Sequence, residues 1–342
     1  MKKTGLKALL AAALLMNSAA ALPSDNDSKR IPINSELFSF NPDLRFTVES
    51  GTTGIGLGLE SRLNQFLSVR TGFSWVPHFE FPMNFSIQVG EDGDPGYDSQ
   101  GRSRFDRMAG YLEEMTGFRI DQQIDMIGEP HFYNFKLLVD VYPFTDKHWY
   151  FTTGFFAGPS VIGRAYNRTE DMTTLMCVAM YNNIYDKVYD IEFNEDSELD
   201  GVFLGLELPP DVNNKILDAG RMGMRIGDYK DQTDENGKPI PYLMEPDQDN
   251  MVKAEMKVNS FKPYIGAGYN GSIDKKNDRL RLSLDCGLLF WGGTPKVYTH
   301  DGTEIASGLE NINGQIGRYV DLIKPLKVYP ILNLSISYRL FK

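Results

Sequence analysis

The 342-residue sequence is poor in the residues that build small stapled or metal-rich folds: it has 2 cysteines, 4 histidines and 3 tryptophans. So few cysteines exclude a disulfide-dense scaffold and a cysteine-rich zinc or iron–sulfur protein. Four histidines leave little room for a His-rich metal site. Basic residues are the minority, with 35 Lys and Arg against 46 Asp and Glu and a net charge of −11. That balance argues against a nucleic-acid partner, which needs clustered cations. No window beyond the N-terminus approaches the ~18 consecutive apolar residues of a membrane-spanning helix. Yet 42% of the residues are hydrophobic, too many for a disordered chain.

What is present begins with Met1-Lys2-Lys3, an apolar run from Leu6 to Met16, and Ser18-Ala19-Ala20-Ala21. A basic start, a short apolar core and a small-residue cleavage site predict a secretory signal peptide over 1–21. The core is too short for a membrane anchor. Cleavage would leave 321 residues and remove three lysines and no acids, giving a charge of −14. Residues 22–42 then read as an N-terminal periplasmic segment ahead of a domain over 43–342.

Eight stretches alternate with period 2: Leu44–Glu49, Thr53–Arg62, Phe66–Trp75, Tyr133–Tyr142, Trp149–Gly158, Phe261–Ile273, Arg279–Phe290 and Val328–Leu340. In the last, Leu332, Leu334, Ile336, Tyr338 and Leu340 share one face, while Asn333, Ser335, Ser337 and Arg339 share the other. Alternation of this kind marks strands with two different faces, and most approach the ~9–11 residues that cross a bilayer at a tilt. Connections alternate as well. Asn64-Gln65, Thr145–His148 and Asp274–Asp278 are short polar turns, whereas the insertions at 79–130, 165–257 and 297–326 are long. Short turns at one end and long loops at the other predict an all-β fold, an eight-stranded antiparallel transmembrane β-barrel with long, partly helical extracellular loops.

A secreted β-sandwich alternates too, with its apolar side inward. The polar faces argue against it. They carry Arg45, Glu49, Glu60, Arg62, Arg70, Lys136, Asp140, Arg279, Arg281, Asp285 and Arg339 among many glycines. Glycine weakens a solvent-facing strand, but in a narrow barrel it makes room for long neighbours. An eight-stranded barrel is just wide enough for its interior to fill with side chains. Arg45, Glu60, Arg70, Lys136, Asp140, Arg281 and Asp285 are therefore expected to form a packed ion-pair network.

The segments Gly54-Ile55-Gly56-Leu57-Gly58-Leu59, Asp140-Val141-Tyr142-Pro143-Phe144, Lys262–Tyr269, Asp285–Phe290 and Ser335–Phe341 resemble those of small Gram-negative outer-membrane β-barrels. The group includes OmpA-like and OmpW-like eight-stranded barrels, and the overall style is similar to Bacteroidetes-type surface proteins. The resemblance implies an outer-membrane location, a porin-like appearance, and outer-membrane lipids and the barrel-assembly machinery as partners. Such barrels usually end on an aromatic residue; here the register puts Leu340 in that slot, with Phe341 and Lys342 beyond.

For function, the segment 165–257 stands out, with 20 acids, 9 bases and a net charge of −11. Helices are expected near Asp106–Met115, Glu170–Asp190 and Asp211–Asp218. The expected role is surface binding, adhesion or membrane maintenance through these acidic loops, with an extracellular ligand on 165–257. Alternatives are a narrow channel for ions or small solutes and a lipid-modifying barrel enzyme using His78 or His131 at the rim. The enzyme needs a serine within hydrogen-bond reach of the ring. No His in the chain has Ser two residues on; Ser74 and His78 are four apart. Glu91–Asp98 and Asp231–Gly237 are acidic but depart from the EF-hand spacing. Cys177 lies in a long loop and Cys286 on an apolar strand face, so no disulfide is expected between them. No residue is assigned a catalytic, cofactor-binding or metal-binding role, and the chain reads as a non-enzyme.

Overall fold

A computed structural model describes residues 43–90, 92, 94–145, 147–193, 210–273, 278–305 and 326–341. The expected signal peptide, the 22–42 segment and part of the 297–326 insertion lie outside these residues. In chain order the elements are β1 (Asp43–Gly51), β2 (Gly54–Arg62), β3 (Leu67–Trp75), β4 (Phe81–Val89), α1 (Arg104–Thr116), β5 (Gln123–Pro130), β6 (Tyr133–Val141), β7 (Trp149–Ala157) and β8 (Val161–Asn167). They continue with α2 (Met172–Phe193), α3 (Pro210–Ala219), β9 (Met222–Thr233), β10 (Pro239–Met244), β11 (Lys253–Lys257), β12 (Phe261–Ser272), β13 (Leu280–Leu289), β14 (Lys296–Thr299), β15 (Glu304–Ile305) and β16 (Tyr329–Arg339). No described helix is long and apolar enough to cross a membrane.

The eight expected strands are all present and form a closed antiparallel barrel in the order β1-β16-β13-β12-β7-β6-β3-β2. The first strand pairs with the last, from Arg45↔Arg339 to Gly51↔Asn333, which leaves no free edge. The β1–β2 hairpin turns through Thr52-Thr53 and Gly54 at φ 87. A Cβ at Gly54 would overlap the Trp75 carbonyl, so only glycine fits. The outer face is apolar and open, as a lipid-facing surface must be: Phe151 is 57% exposed and Ile265 56%, with Leu57, Phe135, Leu284 and Leu334 beside them. Cys286 lies on this face while Cys177 is buried in α2, and both are free thiols.

The long insertions differ from the expected loops. They carry a second sheet, in the order β10-β9-β15-β14-β11-β8-β5-β4. Besides β10, β9 pairs with Ile305 of β15 through Tyr229 and with β4, at the far end of the order, through Met222–Met224. The run β4-β5-β8-β11-β14 repeats the order of β3-β6-β7-β12-β13 below it. Five barrel strands thus carry on past a short break into an upper tier, and β9 and β15 stand in for β16, β1 and β2.

Across the break the two faces exchange roles. In β4, Met83, Phe85, Ile87 and Val89 are buried; outward positions of the tier carry Glu129, Arg164, Glu255, Lys257 and Lys296. Lipid no longer surrounds the strands there, so the ordinary water-soluble arrangement returns. The three expected helices are present and close this core: Leu112 of α1, Val178 and Ile184 of α2 and Ile216 of α3 pack with Ile124, Met222 and Met224. Helix α1 begins at a capping box, in which the Asp106 N–H donates to Ser103 Oγ (3.0 Å) and the Ser103 N–H to Asp106 Oδ2 (2.8 Å).

Candidate functional site

The lumen is filled from its middle outward. Arg70 of β3 donates to Asp285 Oδ2 (2.9 Å) and Oδ1 (2.8 Å), to Asp140 Oδ1 (2.7 Å) and to Thr152 Oγ1 (3.2 Å). Tyr150 donates to Asp285 Oδ1 at 2.9 Å and sets its ring 5.3 Å from the guanidinium. Lys136 pairs with Glu49 beside them. Glycine makes these crossings possible, since Gly268 lies against the Tyr150 ring and Gly56 against the Glu49 carboxylate. Alternation brings the charges to one interior, and closure brings strands distant in sequence into bonding range.

The expected single network is two clusters. Arg45, Arg281 and Arg339 gather at the short-turn end, around Asp43 and Asp278. These two acids belong to a strand end and a turn, so alternation alone did not mark them. Burial works against ionisation at Asp278, but hydrogen bonds and charge from the three arginines hold its carboxyl below the usual range.

At the opposite mouth an apolar layer caps the lumen. Leu138, Phe156, Tyr264, Leu289 and Ile331 are buried there, with Phe132 and Tyr329 packed on them. Trp291 lies 5.0 Å from the Tyr329 ring, and its indole N–H donates to the Leu326 carbonyl at 3.0 Å. Lys262 is buried alongside this layer and donates to Asn134 Oδ1 at 3.0 Å.

Above this floor lies a cavity of about 390 Å³, walled by the upper tier. Met83, Phe85, Met126, Ile226, Met244 and Val297 line it. Its volume has a plain origin in sequence. Gly128 of β5 faces Ala165 of β8, and Ala165 faces Ala254 of β11. A row of small residues across three neighbouring strands leaves the space that larger side chains would fill. The 165–257 insertion supplies Ala165, Ile226, Met244, Ala254 and Met256 of this wall. Its Met-rich helix, the clearest signal in that insertion, packs instead in the core alongside.

The rim histidines are placed apart from serine. Ser74 is buried on the lumen side, whereas His78 is 67% exposed outside, with Nε2 3.9 Å from Glu129 Oε1. His131 stacks edge-on with Tyr133, their rings 5.2 Å apart. The acidic stretch Asp231–Gly237 runs from the end of β9 into a hairpin turn in which Asp234 Oδ1 accepts from the N–H groups of Asn236 (2.9 Å) and Lys238 (2.8 Å). In the other stretch, Glu91 and Gly93 lie outside the described residues.

No protein-family model matches the sequence, and no curated protein matches it. Among solved structures it is similar to CarO2 of Acinetobacter baumannii, at 12% identity over 87% of this chain and 97% of that one, TM-score 0.34. CarO of the same organism gives 13% identity over 87% and 97%, TM-score 0.33. A major outer membrane protein from Thermus thermophilus gives 12% over 86% and 98%, TM-score 0.28. A closed antiparallel barrel with a charged, filled lumen and an exposed apolar belt is an eight-stranded outer-membrane β-barrel.

Proposed function

We propose that this barrel is a surface binding protein that takes a small apolar molecule into the cavity of its upper tier, on the extracellular side. The cavity carries the reading. At about 390 Å³ and with a wall largely of Met, Phe, Val and Ile, it has the size and chemistry of a small-molecule site. The floor beneath it is packed with aromatic rings and the lumen below is crossed by Arg70 and Lys136. A route for solutes through the barrel is therefore disfavoured against binding above it. The acidic exterior of the 165–257 insertion would face water around the site, a role compatible with surface attachment.

Trp291 lines the cavity and is 2% exposed, so it can report occupancy. In the folded full chain carrying Trp75→Phe and Trp149→Phe, a brominated alkane should quench Trp291 saturably. Ala165→Phe and Ala254→Phe should each fill the wall and weaken that quenching at least tenfold. Quenching that does not saturate, or that is unchanged by both fillers, would refute the binding role.

A further inference from the structure

Three side chains, of which only Glu129 also borders the cavity, converge on the outer face, where the two tiers join. The link from β3 to β4 carries His78 and Glu80, and Glu129 stands near the end of β5, which pairs with β4. One ligating atom from each of His78, Glu80 and Glu129 lies within 4.8 Å of the other two. His78 and Glu80 are exposed and Glu129 partly so. Tyr166 Oη donates to Glu129 Oε1, an outer hydrogen bond of the kind that orients metal ligands. The two carboxylates are otherwise uncompensated. Among the described residues neither forms an ion pair with Lys or Arg, because neighbouring Arg164 is taken by Glu255 at 3.3 Å.

We infer that His78, Glu80 and Glu129 form a binding site for a first-row divalent transition metal, with Zn²⁺ as the reference ion. One imidazole nitrogen and two carboxylate oxygens suit that class. The hard cations Ca²⁺ and Mg²⁺ prefer all-oxygen shells. Three protein ligands leave a fourth position for water, and the bound ion would tie the β3–β4 link to β5. The inference is independent of whether the cavity holds a ligand.

Isothermal titration of the tag-free full chain in detergent with ZnCl₂ tests it. One ion per chain should bind, at least tenfold more weakly in His78→Ala and in Glu129→Gln, with His300→Ala unchanged. Tyr166→Phe, which keeps all three ligands, should weaken binding roughly tenfold. A heat-modifiable gel shift identifies which variants retain the folded barrel. Absence of Zn²⁺ binding by the wild-type chain, or equal affinity in folded His78→Ala, would overturn the site.

Discussion

Replacing Arg70 by alanine tests whether the lumen is held by charge pairing. The guanidinium side chain is 9% exposed and its partners Asp140 and Asp285 are 1% and 6% exposed. Both carboxylates accept from the same nitrogen, at 2.7 Å and 2.8 Å, so their oxygens can be no farther apart than those two lengths together. Without the cation they would repel by about 3 kcal/mol at an effective dielectric constant of ~20. Each would also lose charge-assisted hydrogen bonds worth ~1.5–3 kcal/mol. Relaxation and water entry offset part of this, and removal of one member of a buried pair generally costs ~3–5 kcal/mol. We therefore expect Arg70→Ala to lose about 4 kcal/mol. With a slope of ~2 kcal/mol per molar urea, the unfolding midpoint, read by the heat-modifiable gel shift, should fall by ~2 M. Combining Arg70→Met with Asp140→Asn and Asp285→Asn should recover much of the loss, because no charge is then stranded. A midpoint change under ~0.5 M, equivalent to about 1 kcal/mol, or a triple variant no better than Arg70→Ala, would show that charge pairing does not hold the lumen.

Gly268→Ala places a Cβ against the Tyr150 ring and should cost ~1–3 kcal/mol by overpacking; the same urea assay checks it. Ser103→Ala should destabilise the first turn of α1 by ~1 kcal/mol, measured as faster amide exchange over 104–112. Hydrogen bonds from the Ser103 hydroxyl and N–H hold the Asp106 carboxyl below its ordinary value. A depressed carboxylate stabilises the folded state above its unfolded value of about 3.9. That contribution should disappear as pH falls below ~4 through the lower folded value, and exchange in α1 should accelerate there. In planar bilayers the wild-type chain should give no sustained single-channel current, because Arg70, Lys136 and Tyr150 occupy the lumen; a steady current would contradict a filled interior.

Much of the barrel was legible because lipid imposes a strict rule on strands that cross it. An outward residue must be apolar and an inward one need not be, so Leu332, Leu334 and Ile336 alternate cleanly with Asn333, Ser335 and Ser337. The upper tier has the same period: Phe81, Met83, Phe85, Ile87 and Val89 alternate within a single segment. Period alone cannot say which side of a strand meets lipid, helix or cavity, and Pro82 within the run weakens its resemblance to a strand. By sequence alone these residues therefore look like part of a loop. The cavity was still less visible, since Gly128, Ala165 and Ala254 lie far apart in the chain and form one wall only when β5, β8 and β11 pair.

The number of barrel strands, the apolar belt, the charged interior and the positions of three helices were already written in the sequence. Each of these follows from local periodicity and from the cost of exposing polar groups to lipid. Tertiary structure alone decided which charges pair across the lumen, that five barrel strands continue into a second tier with reversed faces, and that a cavity and a His–Glu–Glu cluster stand above and beside the barrel. Those features depend on strand register and closure, which bring together residues whose separation along the chain carries no record of their contact.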